Sequence, residues 1–276
     1  MVKEMSNKYL KLVHSIKKLE SVAVAFSGGV DSTLLIKACK EALDENAIAL
    51  TIDSPYIPNW EIEEAKDLAK NIGIKHEIIK LNEIPSIIKN NPYNRCYLCK
   101  KTLFTMMKER SKALGYTYLI DGTNFDDTKV YRPGIKALEE LNIISPLLEN
   151  KLTKNEIREI SKQLDLSTWN KPAYACLLTR FPYDTYLESK NISIVEEAEE
   201  YLMSIGFRGL RVRKHEDIAR IEVSRDERKK LFNEKLLDDI SDTIKAIGFK
   251  YVCFEASGYR SGSFDKNIIT EDESNE

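Results

Sequence analysis

The sequence predicts an α/β protein, a doubly wound parallel sheet followed by a smaller C-terminal α+β domain. Three observations predict it. Short apolar runs alternate with stretches of helical period over the first half of the chain. The first run, 22–26, breaks at Ser27-Gly28-Gly29 directly into helical sequence, the strand–turn–helix start of a βαβ unit. After Pro182 the order changes to helix, two alternating strands, helix and a last strand. A chain of 276 residues can build one large domain or two smaller ones around a real core.

Taken in order, residues 1–20 form an amphipathic helix that lacks the apolar centre of a secretion signal. Strand 22–26 leads to a helix through 33–38, and strand 47–52 ends at Asp53-Ser54. Residues 60–72 repeat with helical period, 75–81 return as strand, 103–114 are helical, and 118–120 make a strand before Asp121-Gly122-Thr123-Asn124. Ligands of such sheets sit beyond the carboxyl ends of the strands, which places 27–32, 51–54 and 121–127 on one rim. In the second part, 192–205 read as helix, 210–213 and 218–223 as a hairpin turned at 215–217, 225–247 as helix and 250–256 as strand. The domains expected are 1–185 and 186–265, followed by a disordered acidic tail over 266–276.

Composition excludes several classes. Charged residues make up 31% and hydrophobic residues 42%, as in soluble proteins. A net charge of −2 argues against a protein whose main task is gripping nucleic acid. No apolar run approaches the ~20 residues that span a bilayer. Five cysteines, odd in number and unevenly spaced, do not form a disulfide framework. The expected setting is the cytoplasm, with no membrane partner.

The glycine turn carries the most chemistry. Backbone N–H groups and the positive end of a helix dipole converge there on an anion. A P-loop would follow its glycines with a lysine that reaches the β/γ-phosphates, and no lysine follows these. Instead Val30 leads to Asp31, a carboxylate able to hold Mg²⁺, and Ser32, a hydroxyl able to bind phosphate. The plain alternative is a turn before an ordinary helix. Ser27-Gly28-Gly29-Val30-Asp31-Ser32 resembles the PP-loop of the ATP pyrophosphatases, which split ATP between its α- and β-phosphates and adenylylate an acceptor. The ends of the second strand, Thr51 and Asp53, and the Gly122 loop are the expected seats of base and ribose.

Cys96 and Cys99 form a C-x-x-C pair between Pro92 and the helix at 103, and Cys176 lies in a proline-marked loop before Arg180-Phe181-Pro182-Tyr183. Three readings compete for them: a zinc site, a redox pair, and an iron–sulfur cluster with one open iron. Zinc wants a fourth ligand, and His14, His76 and His215 lack ligand spacing to the pair. Cys39 is expected in the core and Cys253 in strand packing. Arg211 and Arg213, two apart on a strand, share a face and suit an anion, or simply make a solvated basic face.

Together with Asp121-Gly122-Thr123-Asn124, Tyr131-Arg132-Pro133-Gly134, Arg180-Phe181-Pro182-Tyr183, Arg211-Val212-Arg213, 217–222 and Gly258-Tyr259-Arg260-Ser261-Gly262, these residues make the chain similar to the LarE family over 22–264. The resemblance implies a sheet of PP-loop (adenine nucleotide alpha hydrolase-like) type. It implies an ATP-dependent sulfurtransferase that adenylylates the carboxylates of pyridinium-3,5-biscarboxylic acid mononucleotide and converts them to thiocarboxylates, in nickel-pincer nucleotide synthesis. Mg²⁺ on Asp31 and a 4Fe-4S cluster on Cys96, Cys99 and Cys176 would be its metals, with sulfide or another sulfur donor as co-substrate. In the branch without Cys96 and Cys99, the residue matching Cys176 gives up its own sulfur. Arg180, Arg211, Arg213 and Arg260 would meet the substrate phosphate, and Arg132 is a candidate structural residue. A homo-oligomer is expected. The alternatives are a tRNA thiolase of the same superfamily and a non-enzymatic nucleotide-binding iron–sulfur carrier.

Overall fold

The computed structural model describes residues 2–129 and 133–259. Arg132, Arg260 and the 266–276 tail, singled out above, lie outside the described residues. The chain groups into two compact units: residues up to Ile88 with Asn94–Tyr174, and Lys89–Tyr93 with the described residues from Ala175 onward.

The first unit runs α1 (Val2–Lys17), β1 (Val22–Ala25), α2 (Val30–Leu43), β2 (Ala47–Asp53), α3 (Asn59–Ile72), β3 (Lys75–Lys80), α4 (Arg95–Ala113), β4 (Tyr118–Ile120), α5 (Pro133–Glu140), α6 (Pro146–Glu149) and α7 (Lys154–Gln163). Its strands pair in the order β3-β2-β1-β4, every pair parallel, so the doubly wound sheet read from the sequence is present. Alternation along β1 builds two cores. Val22 and Val24 pack with Leu12 and Ile16 of α1, Leu34 and Leu35 of α2, and Ile157 and Ile160 of α7. Ala23 shares the opposite core with Leu50, Leu119 and Met107, the last on α4. Register places Val22 beside Ala47 and Tyr118, so β1, the strand that feeds the glycine turn, is central and covered on both faces.

Two differences from the expected elements matter. Helix α4 begins at Arg95 and not at 103, because Tyr97 and Leu98 both donate their N–H groups to Asn94 O and Arg95 is buried. The C-x-x-C pair therefore sits in the helix and not ahead of it. Helix α7 was not expected. It starts at a capping box, with Thr153 N and Oγ1 donating to Glu156 Oε2 at 3.0 Å and Glu156 N donating back to Thr153 Oγ1.

In the second unit, α8 (Ser189–Ser204) precedes β5 (Arg211–His215), β6 (Ile218–Glu222), α9 (Glu234–Ile247) and β7 (Tyr251–Phe254). β5 and β6 form the expected antiparallel hairpin, and β7 adds parallel to β6. The helix expected over 225–247 is interrupted. A 3₁₀ turn at Glu227–Leu231 comes first, and α9 starts where Asn233 Oδ1 accepts from Leu236 N at 3.1 Å. Cys253 is exposed on β7, which among the described residues pairs with β6 alone, whereas Cys39 is fully buried, and burial pushes its thiol pKa up. Residues 89–93 thread into this unit: Asn91 is fully buried at φ 50°, and its amide donates to Phe181 O at 3.2 Å and Pro182 O at 2.6 Å. Asp184 N and Leu187 N donate to Asn91 O and Lys89 O.

Candidate functional site

The loop after β1 is held by hydroxyls. Ser32 Oγ accepts from Ser27 N at 3.3 Å, lies 3.2 Å from Ser27 Oγ and donates to Gly29 O at 3.1 Å. Gly28 takes φ 69°, which a side chain would strain, and an added Cβ there would stand 3.4 Å from Ala65 Cβ. Gly29 occupies the cap position of α2 and no side chain caps that helix. A helix start without a side-chain cap directs its first N–H groups outward, toward an anion. The Gly122 loop presses on this start from the neighbouring strand end: a Cβ at Gly122 would meet Ser32 N at 3.1 Å.

Asp31, in the first turn of α2, has two partners from elsewhere in the chain. Asn124 Nδ2 donates to its Oδ1 at 3.2 Å, and Lys154 Nζ, 123 residues away, donates to its Oδ2. Asn124 is fixed in turn, since its Oδ1 accepts from Asp126 N at 2.9 Å and its own N–H donates to Asp127 Oδ2 at 3.0 Å. Asp121 accepts from Thr123 Oγ1 at 2.6 Å and Ser145 Oγ at 2.5 Å, with Lys100 Nζ 3.6 Å away. Thus 121–127 is a knitted loop that aims one amide at Asp31. Among the described residues, no group of three or more His, Cys, Asp or Glu side chains converges as a metal site. Mg²⁺ in nucleotide sites is commonly held by one or two carboxylates plus phosphate and water oxygens. Asp31 fits that use, because its carboxylate already accepts a cation.

At the end of β2, Thr51 Oγ1 donates to Phe26 O at 2.8 Å, which uses its only proton. His76 Nε2, 2.8 Å from the same oxygen, is therefore the donor, and the neutral ring carries its proton on Nε2. Burial, then the charge of Lys66, lowers the His76 pKa. Asp53, also expected here, ends β2 half-buried. Ser54 Oγ, buried on the same rim, has no hydrogen-bond partner among the described residues. Lys171 closes the other side of the loop: its Nζ donates to Gly28 O at 3.0 Å and Glu64 Oε2 at 2.6 Å, over the Trp60 ring.

Cys96 and Cys99 lie three residues apart in the first turns of α4, a spacing that puts them on one face. Cys96 is exposed, Cys99 half-buried, and Cys99 Sγ is 3.4 Å from Tyr56 Oη. The pair fits two vertices of a cluster. Cys176, half-buried, belongs to the second unit.

Within that unit Arg180 is fully buried and its donors are spent on protein. Nε and Nη2 pair bidentately with Glu199 at 2.8 Å each, while Nη1 reaches Ala175 O at 2.7 Å, Thr179 Oγ1 at 2.8 Å and Cys176 O at 3.2 Å. Burial opposes its charge, and the Glu199 carboxylate outweighs that and raises the pKa. Sequence placed Arg180 opposite a phosphate; the structure places it against a carboxylate and the main chain of the Cys176 loop. Arg213 donates to Thr179 O and, at 3.0 Å, to Glu222, and Arg211 donates to Leu210 O at 2.6 Å with its guanidinium 4.9 Å over the Tyr259 ring. Both are buried, which excludes the solvated-face alternative.

Lys154, Lys171 and Tyr56 were not singled out from sequence. A capping-box pattern at 153–156 was the available signal for α7, but nothing local to Lys154 points to Asp31.

Residues 2–115 match the NAD synthase family. Over 250 residues, covering 90% of this chain and 93% of the relative, the sequence is 40% identical to an uncharacterised protein of Synechocystis sp.. It is 37% identical to an uncharacterised protein of Methanocaldococcus jannaschii, over 92% of this chain and 98% of that one. It is also 35% identical to the pyridinium-3,5-bisthiocarboxylic acid mononucleotide synthase of Lactiplantibacillus plantarum, over 96% of both chains. With end-to-end similarity of that extent added to the PP-loop and its rim, the chain belongs to the LarE family of PP-loop, ATP-dependent sulfurtransferases.

Proposed function

We propose that the protein converts the carboxylates of pyridinium-3,5-biscarboxylic acid mononucleotide to thiocarboxylates. The observation that carries this reading is Asp31, set at an uncapped helix start and held by Asn124 from the next strand end. The family membership and the activity for which the L. plantarum relative is named support the choice of substrate.

A carboxylate resists nucleophiles because its leaving group would be oxide. In the proposed reaction its oxygen attacks the α-phosphorus of ATP, the bond to the β-phosphate oxygen breaks, and pyrophosphate leaves. A sulfide-level sulfur then adds to the acyl carbon and AMP departs with the former carboxylate oxygen, leaving a thiocarboxylate. We assign Ser27, Gly28, Gly29, Val30 and Ser32 to the phosphates, where preset donors offset charge building on the departing pyrophosphate. Asp31 would hold Mg²⁺, and Thr51, Asp53 and Gly122 would line the nucleoside. Arg211, Arg213 and Arg260 remain our assignment for the acceptor's phosphate, on the strength of the resemblance. Arg180 we reassign to holding the Cys176 loop.

We also assign Cys96, Cys99 and Cys176 to a 4Fe-4S cluster, which would supply sulfide at an open iron. The residue pattern supports this over the single-cysteine alternative, in which Cys176 would lose its sulfur and become dehydroalanine. A cytoplasmic homo-oligomer completes the proposal, resting on composition and resemblance.

The test is anaerobic purification with iron and sulfide analysis, then reaction with ATP, Mg²⁺, sulfide and the dicarboxylate. Pyrophosphate, AMP and the thiocarboxylate are the expected products over several turnovers, with Cys176 intact. A loss of about 34 Da from Cys176 would overturn the cluster assignment. Asp31→Ala should abolish most pyrophosphate release in a folded protein. Pyrophosphate formation that depends on tRNA and not on the dicarboxylate would favour the thiolase alternative.

A further inference from the structure

The nucleotide loop lacks the lysine that P-loops carry after their glycines, yet a lysine reaches it from another element. Lys154, first residue of α7, places Nζ on Asp31 Oδ2. Its main chain is anchored: Lys154 N donates to Asp126 Oδ2 at 2.8 Å, and Thr153 before it is the cap residue of α7. Only the side chain is left to move, and it is one-third exposed.

The neighbouring lysines differ. Lys171 is 12% exposed and divided among Gly28 O, Glu64 and the Trp60 face, so it is built into the loop's wall. Lys100 lies toward Asp121, over Phe104. Among the described residues, the Lys154 ammonium has Asp31 as its one partner.

We propose that Lys154 is an exchangeable cation of the nucleotide site: it occupies Asp31 until Mg²⁺ does, and then turns to the phosphates. The inference rests on the PP-loop reading and extends it to a residue outside the loop. Mg²⁺ on Asp31 Oδ2 would contest the place and the charge that the Lys154 ammonium now meets, and in this proposal the metal displaces it. Asn124 keeps Oδ1 in place while the partner on Oδ2 changes. The released ammonium, on a four-carbon stem rooted beside Asp31, is a mobile point charge of the kind suited to phosphate oxygens. It would then stabilise the departing pyrophosphate, the task that the missing loop lysine performs in a P-loop.

Lys154→Met tests this, because exchange predicts two effects of opposite sign. Mn²⁺ titrated without ATP and read by electron paramagnetic resonance should bind about two- to fivefold more tightly, the scale of one part-exposed ion pair. ATP- and acceptor-dependent pyrophosphate release should fall by about a hundredfold, and Lys154→Arg should restore part of it. The capping box does not use the Lys154 side chain, so the fold is expected to persist, and circular dichroism checks it. Weaker or unchanged Mn²⁺ binding in the variant would overturn the exchange, and unchanged pyrophosphate release would overturn the phosphate role. Wild-type protein that releases no pyrophosphate would count against the PP-loop reading itself, while the Mn²⁺ comparison still decides whether Lys154 competes for Asp31.

Discussion

Single residues at this site are positioned by partners far away in sequence, and two of them have measurable consequences. The His76 pKa is lowered by burial, and so is that of His215, where burial acts ahead of Arg220 and Arg213. The unfolded chain, with histidines near pKa ~6.5, binds more protons than the folded one below that value. Their contribution is therefore complete above about pH 6.5 and declines as pH falls toward the folded pKa values. His76→Gln should flatten the stability-versus-pH curve between about pH 7 and 5 in part, the remainder belonging to His215. Denaturation series at several pH values check it, and an unchanged slope would refute the assignment. Arg180 has a different kind of importance. Arg180→Met strands the buried Glu199, whose Oε1 also accepts from Val212 N at 2.8 Å, so a loss of about 3–5 kcal/mol is expected by denaturant titration.

Elements show where the sequence was legible and where it was not. β1 and β2, the inner strands, were readable because strands covered on both faces become near-continuous apolar runs, as Val22, Ala23 and Val24 show. The start of α4 was hidden because Asn94, Arg95 and Lys100 look like loop, while burial of Arg95 turns that stretch into helix. α7 was hidden because ten residues give a short periodic signal, although Thr153 and Glu156 announce its start. The PP-loop chemistry was legible since every residue of it is adjacent in sequence. Lys154 and Asn124 were not legible as partners of Asp31, since only the fold brings strand ends and helix starts together. The cap should matter to both stability and chemistry. Thr153→Ala is expected to lower stability by about 1 kcal/mol and to reduce pyrophosphate release by less than Lys154→Met does. Equal losses in the two variants would show that the cap, and not the ammonium, is what the site needs.

At the scale of the whole molecule, the two units have unlike sheets: one wholly parallel, the other a hairpin extended by a parallel strand. No helix among the described residues is long and apolar enough to cross a membrane. The second unit was legible as hairpin and helix, whereas the burial of its arginines was not. Arg211 and Arg213 read as an anion-facing pair or a solvated basic face, while Leu210 O with the Tyr259 ring, and Glu222 with Thr179 O, show both also engaged by the protein.

The path of 89–93 has a consequence for severing the chain. The first unit is not a contiguous stretch of sequence, because five residues in its middle complete the second. A single cut is therefore not expected to yield a self-sufficient half. A fragment ending at Tyr174 would keep Asn91 but lose Phe181 O and Pro182 O, two acceptors of its buried amide. Such a fragment should be more protease-sensitive around 89–93 than the intact chain and regain protection when 175–276 is added in trans. A fragment as resistant there as the full-length protein would refute this. Evolution meets the same constraint: the segment cannot be exchanged with either half alone, so the halves are expected to be inherited together.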